Sequence, residues 1–301
     1  MKCITTVSYS VIINGAVHGR IFPTRGLRQG DLLSPYLFLL CADGFSSLIK
    51  DAARNQSFSK ISICRGCPMV THLFFANDSL LFCRENDQEC HKLIEILELY
   101  DAASGQKVNV EKSSIFFSHN TPQEKKCAVL NILGPMQDTR HGKYLGLPSI
   151  IGRSKTEVFA ELKEKVGRKL VGWKGKLLSI GGREILIKAV AQAVPTYTMS
   201  CFLIPKGLCE EIEGMIRKFW WGQRQDESKI AWVSWEKMCR AKSNGGMGFR
   251  NLQAFNLAML AKQGWRLLSN PDSLYAKVFK ARYYLNGDVL NLKLGCSPSY
   301  T

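Results

Sequence analysis

Residues 71–84 read THLFFANDSLLFCR. Two apolar runs, Leu73–Phe75 and Leu80–Phe82, flank a four-residue polar apex, Ala76-Asn77-Asp78-Ser79. Short apolar runs around an Asn-Asp pair predict a β-hairpin. The runs are too apolar to stand in water, so the apex is expected to be held rigidly. It has two readings. Asn and Asp tolerate left-handed backbone and bond locally to it, which makes a plain turn. An acid at the tip of a rigid hairpin is also a place to hold a divalent cation.

Upstream, TTVSYSVIINGAVHGRIF (5–22) is rich in β-branched residues around Asn14-Gly15, a strong hairpin signal. TRGLRQGD (24–31) comes next as a loop with Gly26, Gly30, Arg25 and Arg28. Its glycines let backbone approach a ligand, and a helix N-terminus after it favours an anion. Ser34-Pro35 predicts that helix, with Ser as N-cap and Leu37, Leu40, Cys41, Phe45 and Leu48 near helical spacing. Downstream of the hairpin, Asn86 and Glu89 stand at capping-box spacing. Leu93, Leu97 and Tyr100 continue one face, and Gly105 is the expected stop. KVNVEKSSIFF (107–117) reads as a strand or strand pair. Strand and helix thus alternate through the first half, which predicts an α+β fold with a sheet covered on one face by helices.

From GRSKT (152–156) the pattern turns helical. Phe159, Leu162, Val166 and Leu170 form one stripe, and Leu186, Ala189, Val190 and Ala193 a second, ended by Pro195. Leu208, Ile212, Met215, Ile216 and Phe219 form a third. Three stripes predict a small bundle over 153–220. An aromatic-rich segment with two further helical patterns, around 252–268 and 272–284, then fills 221–301. Trp220, Trp221, Trp232, Trp235 and Trp265 are expected to pack that segment rather than stack on bases.

Residues 1–152 hold 16 Lys+Arg against 13 Asp+Glu, and residues 153–301 hold 25 against 12. Most of the net +16 therefore lies in the second half. Such a half is suited to a polyanion, because phosphate contacts release counterions, or it is a solvated basic surface. The apolar runs are too short to span a bilayer, and no charged leader precedes an apolar run and cleavage site. With 11 cysteines, an odd number, the chain reads as intracellular with reduced thiols. Cys64-Arg-Gly-Cys67 has zinc spacing without a second pair, and Cys83, Cys90 and His91 form only a forced set.

Hairpin, glycine loop and basic helices occur together in one family. TRGLRQGDLLSPYLFLLCADG (24–44) resembles motif B of the reverse transcriptases of plant LINE-type (non-LTR) retrotransposons. THLFFANDSLLFC resembles their motif C, which normally ends in Ala-Asp-Asp. ASGQKVNVEKSSIFFS is similar to motif D, and KYLGLPSIIGRSK to the primer grip. KGKLLSIGGREILIKAVAQAVPTYTMSCFLIP, FWWG and KIAWVSWEKMCRAKSNGGMGFRNLQAFNLAMLAKQGWRLL resemble the thumb and the segment beyond it.

The resemblance implies RNA-directed DNA synthesis in a right-hand fold. Residues 1–152 would be a partial palm with motifs B to E, 153–220 a helical thumb and 221–301 a helical C-terminal segment. The implied partners are an RNA template and a DNA primer, or their hybrid duplex, with dNTP as substrate and Mg²⁺ on palm carboxylates. Asn77 and Asp78 take the positions of the paired motif C acids. Lys112 is the motif D lysine near the triphosphate, or a solvated lysine on a strand. Arg25, Gly26, Arg28, Gln29 and Gly30 would line the nucleotide and template pocket, and Tyr144, Leu145 and Gly146 the primer end. Lys163, Lys165, Arg168, Lys169, Lys174 and Lys176, beside Trp173, would form a basic band along a duplex.

The chain departs from that pattern. Motif A and the fingers, expected upstream of Met1, are not in it. The first motif C acid is the neutral Asn77, leaving Asp78 alone, and Leu32 stands where the family usually has proline. Two unit charges about 4 Å apart at an effective dielectric of ~20 interact by roughly 4 kcal/mol, and each ~1.4 kcal/mol of barrier is tenfold in rate. An amide oxygen does not replace that charge. The expectation is a family member that is catalytically inactive as written. Two other outcomes are a non-catalytic RNA/DNA-binding remnant and a decayed gene product without a role.

Overall fold

The fold is that of a computed structural model, which describes residues 6–23, 30–134, 136–138, 143–149, 151–152, 154–174, 178–222, 230–285, 287 and 289–291. The chain divides into two compact units. One comprises Met1–Ile63 with Pro68–Arg140, the other Cys64–Cys67 with His141–Thr301. The architecture is α+β, with helices beside small β-ladders.

In the first unit, β1 (Tyr9–Ile13) and β2 (Ala16–Ile21) pair antiparallel about Asn14-Gly15. Both turn residues have positive φ, 50° and 82°, the two-residue turn that such a dipeptide predicts. The long helix α1 (Ser34–Arg54) starts differently from the expectation. Leu33 is its N-cap, and the Asp31 carboxylate accepts the Leu33 N–H at 2.9 Å. Ser34 lies inside the helix as its first residue. The C-terminal half of α1 buries Phe45, Ile49 and Ala52, whereas Leu33, Tyr36, Leu39 and Leu40 of its first turns are exposed.

Two short ladders come next. The first pairs β3 (Ile61–Ser62) with β4 (Met69–Val70), the second β5 (His72–Phe75) with β6 (Asp78–Leu81). Helix α2 (Asp87–Ser104) begins and ends as its sequence signals. The Asn86 Oδ1 accepts the Glu89 N–H at 2.8 Å, and Gly105 closes it at φ 69°. The Glu89 carboxylate, nearly buried, also accepts the backbone N–H groups of Ser59 and Arg84, each at 3.1 Å. One side chain thereby ties three segments together. Segment 107–117 is not the expected strand or strand pair. It forms a 3₁₀ turn (Val110–Lys112) and a two-residue strand, β7 (Ser114–Ile115). Strand β7 runs parallel to β8 (Gln137–Asp138), with α3 (Gln123–Leu133) between them.

The single helix-covered sheet expected for this half is a correction. Among the described residues the strands form separate two-stranded ladders. The core is accordingly built by helices: Phe45, Ile49 and Ala52 of α1 meet Phe58 and Leu93 and Ile96 of α2.

The second unit is helical after a small hairpin, β9 (Lys143–Tyr144) with β10 (Leu147–Pro148). Helix α4 (Lys155–Lys174) buries Phe159, Leu162, Val166 and Leu170, the expected stripe. It packs on α7 (Lys206–Trp220), which buries Leu208, Ile212, Ile216 and Phe219. Close approach is visible at Gly167, where a Cβ would stand 2.9 Å from the Met215 Cε.

The middle stripe is out of phase. Helix α5 (Ile180–Leu186) runs into a π turn, Ile187–Ala191, where the Gln192 N–H bonds the Ile187 carbonyl at 2.9 Å. That wider turn absorbs an extra residue, so Ile187 and Ala191 are buried while Ala189 and Ala193 are exposed.

Short helices α6 (Thr196–Met199) and α8 (Trp235–Cys239) and the long α9 (Leu252–Ser269) and α10 (Leu274–Tyr283) complete the unit. Met238, Phe249 and Leu252 join the same core as α4 and α7, so residues on both sides of 220 share it. Its polar lock is Asn256. Its Oδ1 accepts the Ile204 N–H at 2.7 Å, and its Nδ2 donates to the Met199 and Phe202 carbonyls at 2.8 and 2.9 Å. A buried amide with three bonds fixes α9 against the chain between α6 and α7. No helix among the described residues is long and apolar enough to cross a membrane.

Candidate functional site

The 71–84 hairpin is tighter than its sequence suggests. Phe75 pairs with Asp78, so the turn is Ala76-Asn77 alone and Asp78 opens the second strand. Ala76 takes a positive φ of 49°, which an L side chain rarely adopts. Directly opposed residues share a face. His72 and Leu81, with Phe74 and Ser79, form one face, and Leu73 and Leu80, with Phe75 and Asp78, the other. The first is anchored: the Phe74 ring stacks on Phe45 at 5.2 Å, and His72 Nε2 meets the Ser46 hydroxyl at 2.9 Å. Burial, then the charge of Lys50, lowers the His72 pKa below the usual imidazole value. The second face is open, with Phe75 61% exposed. The apolar runs therefore shield only one side of the ladder, not both as expected.

Asn77 and Asp78 are both exposed, and Asp78 has no ion-pair partner among the described residues. Nowhere among those residues do three His, Cys, Asp or Glu side chains converge on a point. The donors present, one carboxylate beside a neutral amide, with Leu73, Phe75 and Leu80 on the face of that carboxylate, do not fit a two-cation centre. The Cys83, Cys90 and His91 set does not converge either. Burial, followed by the charges of Cys90 and Glu89, pushes the Cys83 thiol up to about 12.

Lys112 closes the 3₁₀ turn, its N–H bonded to Asn109 Oδ1 at 3.1 Å and its side chain exposed. It belongs to the same unit as the hairpin. Gly30 sits at φ 86° just before α1, a conformation that suits glycine. Arg25, Gly26, Arg28 and Gln29 lie outside the described residues. Tyr144, Leu145 and Gly146 belong to the second unit, where Leu145 and Gly146 form the β9–β10 turn at φ 51° and 75°.

The basic band on α4 separates into two flanks. At 100° per residue, Lys165, Arg168 and Lys169 share one flank, and Lys163 lies on the other. Lys163 pairs with Glu211 of α7 at 2.6 Å, and Lys165 with Glu161 at 3.2 Å. Lys143 of β9 bonds the same Glu161, and these two lysines hold its carboxyl below the usual carboxylate range. Arg168 and Lys169 have no ion-pair partner among the described residues. Trp173 packs beside Phe219 at 5.9 Å, as a core residue does. Of Lys174 only the backbone is described, and Lys176 lies outside the described residues. Trp220, Trp221 and Trp235 also pack on the core, whereas Trp232 and Trp265 are exposed.

Sequence reasoning missed a groove of about 620 Å³ at the starts of α4 and α7. Leu203, Ile204, Pro205 and Leu257 contribute its apolar lining, and Lys155 and Lys206 its charged lining. Its residues come from three distant segments, which no spacing pattern reveals.

The profile of the family described as reverse transcriptase (RNA-dependent DNA polymerase) matches residues 1–149. An uncharacterized mitochondrial protein of Arabidopsis thaliana is 39% identical over 109 residues, covering 36% of this chain and 71% of that protein. The chain belongs to the reverse transcriptase family. A second A. thaliana protein, carrying a ribonuclease H name, is 34% identical over 139 residues, covering 46% of this chain and 22% of its own length. The retrovirus-related Pol polyprotein from the type-1 retrotransposable element R2 of Popillia japonica is 25% identical over 167 residues. That match covers 53% of this chain and 26% of the polyprotein. These relatives put the reverse transcriptase domain on the plant, non-LTR retrotransposon side of the family. The chain spans about a quarter or less of the two longer relatives' own length.

Proposed function

We propose that this chain is a retrotransposon-derived reverse transcriptase-family protein that binds nucleic acid and does not copy it. The observation that carries the reading is Asn77: the hairpin offers a single carboxylate, Asp78, on an open face. In the proposed assignment residues 1–152 are palm, with Gly30 at the edge of the nucleotide pocket and Lys112 near the triphosphate. Residues 153–220 are thumb, 221–301 the segment beyond it, and Tyr144, Leu145 and Gly146 hold the primer end. Mg²⁺ is the family's metal, and the hairpin's donor set does not suit it. What this chain's residues do is bind. Arg168 and Lys169, with Lys165 beside them, present positive charge to the backbone of an RNA/DNA hybrid.

Primer extension on an RNA template, with Mg²⁺ or Mn²⁺, tests the inactive reading. No product is expected from this chain. None is expected from Asn77→Asp either, since that change adds one carboxylate to an exposed turn beside an open face. Extension by either protein overturns it. Binding is tested by a salt titration with hybrid duplex. Affinity should fall as salt rises, and Arg168→Ala with Lys169→Ala should flatten the slope of log K against log[salt] by about 2. Affinity indifferent to salt overturns the phosphate contacts.

A further inference from the structure

Cys64-Arg-Gly-Cys67 belongs to the second unit, apart from every site residue of the hairpin. The Cys67 N–H bonds the Cys64 carbonyl at 3.0 Å, and Gly66 sits at φ 83°. That is a β-turn, with Gly66 supplying the positive φ of its third position. A β-turn holds its first and fourth Cα atoms within about 7 Å, and a disulfide needs roughly 4.4–6.8 Å, so backbone and bond are compatible before side chains are considered. The side chains complete the match: the two Sγ atoms stand 3.0 Å apart.

We propose that Cys64 and Cys67 are a redox-active dithiol, closed to a reversible disulfide by low-molecular-weight disulfides such as glutathione disulfide. The half-buried Cys64 thiolate attacks one sulfur of glutathione disulfide and releases the first glutathione thiolate, which takes up a proton. Cys67, buried behind it, gives up its proton and attacks the Cys64 sulfur of the mixed disulfide, expelling the second glutathione. Two electrons leave the protein dithiol and two glutathione thiols are formed, so the exchange balances.

The surroundings assign the order. Cys67 lies against α10, with its Sγ 3.8 Å from the Val278 carbonyl, and a Cβ on Gly66 would stand 3.5 Å from the Leu285 Cδ1. A glutathione-sized reagent reaches Cys64 first. The hydrogen bond with Cys67, then burial and the Cys67 charge, raise the Cys64 pKa, against the pull of Arg282. Exchange should therefore speed up with rising pH above neutrality, as the thiolate fraction grows. Closing the bond removes the thiol proton that Cys67 offers Val278, so the turn stiffens while its bond to α10 is lost.

The experiment equilibrates the full chain in glutathione buffers of graded ratio, quenches with an alkylating agent and maps tryptic peptides. Trypsin cuts after Arg65, so the disulfide joins residues 61–65 to residues 66–84, and fragment ions distinguish Cys67 from Cys83. The same titration in concentrated urea measures the unfolded chain. The folded chain is expected to favour the 64–67 disulfide by at least about tenfold over the unfolded one, the effect of pre-positioned thiols. Equal equilibria would falsify the claim that the fold prepares the pair. Glutathione adducts on Cys64 without ring closure would also overturn it. So would stoichiometric zinc in the purified chain that Cys64→Ser removes, since the thiols would then be metal ligands.

Discussion

The β5–β6 ladder is built from more apolar sequence than the α4–α7 helix pair, yet it buries less of what it has. The helix pair hides one stripe of each helix in a core that also takes in Met238, Phe249 and Leu252. The ladder hides only its Phe74 face and leaves Leu73 and Phe75 in the open. A two-stranded ladder has two faces and two edges, and one helix covers only one face. Stability in this chain is therefore concentrated away from the β5–β6 hairpin.

The contrast should be largest where the helical unit is cut at its polar lock. Asn256→Leu leaves the Ile204 N–H and the Met199 and Phe202 carbonyls unpaired in a buried site. A loss of about 3 kcal/mol or more is expected, read by urea unfolding. An unchanged midpoint would place the lock in solvent.

Phe74→Ala sharpens the comparison from the other side. It removes the stack on Phe45 and part of a buried ring, worth about 2 kcal/mol. Amide exchange in residues 72–81 should quicken while α4 and α7 stay protected. Leu73→Ala, on the open face, should cost less than about 0.5 kcal/mol.

Glu89 gives a smaller effect with a pH signature. Burial raises its pKa, but bonds from Ser59, Arg84 and Asn86 outweigh that and leave it below the ordinary 4.5. With the folded pKa depressed, the stabilisation is full above the unfolded value and is lost as pH falls through the folded one. Glu89→Gln should destabilise the first unit by about 1 kcal/mol at pH 7. Thermal melts of wild type and variant should converge below pH 4.5. A gap that persists at acid pH would mean packing, not charge.

As small as the open-face change at Leu73 is Lys163→Ala. Its pair with Glu211 is half-exposed, so less than about 0.5 kcal/mol is expected.

Local signals proved legible wherever the chemistry is local. Asn14-Gly15 sets its own turn, Asn86 and Glu89 their own cap, and Gly105 its own stop, because each needs only neighbours in sequence. The α4 and α7 stripes were equally plain, since a regular helix keeps its phase. The α5 stripe was not: a π turn shifts the phase without leaving a composition signal. At α1 the helix starts one residue earlier than the Ser34 signal, with Leu33 as N-cap and the Asp31 carboxylate bonding the Leu33 N–H. The four-residue apex shrank to Ala76-Asn77 because the ladder pairing reaches Phe75 and Asp78, drawing Asp78 into the strand against its own turn preference. Of the candidate site, the hairpin that carries Asn77 and Asp78 is readable in the sequence. The pairing of Lys163 with Glu211 is not, because it depends on how α7 lies against α4.

The most direct measurement is manganese titration of the chain, tracking paramagnetic broadening of the amides of residues 75–80. Because one exposed carboxylate cannot hold a divalent ion tightly, only weak, unsaturated broadening is expected into the millimolar range. Saturable one-to-one binding at the hairpin in the low micromolar range would contradict the claim that Asn77 has emptied the site of its chemistry.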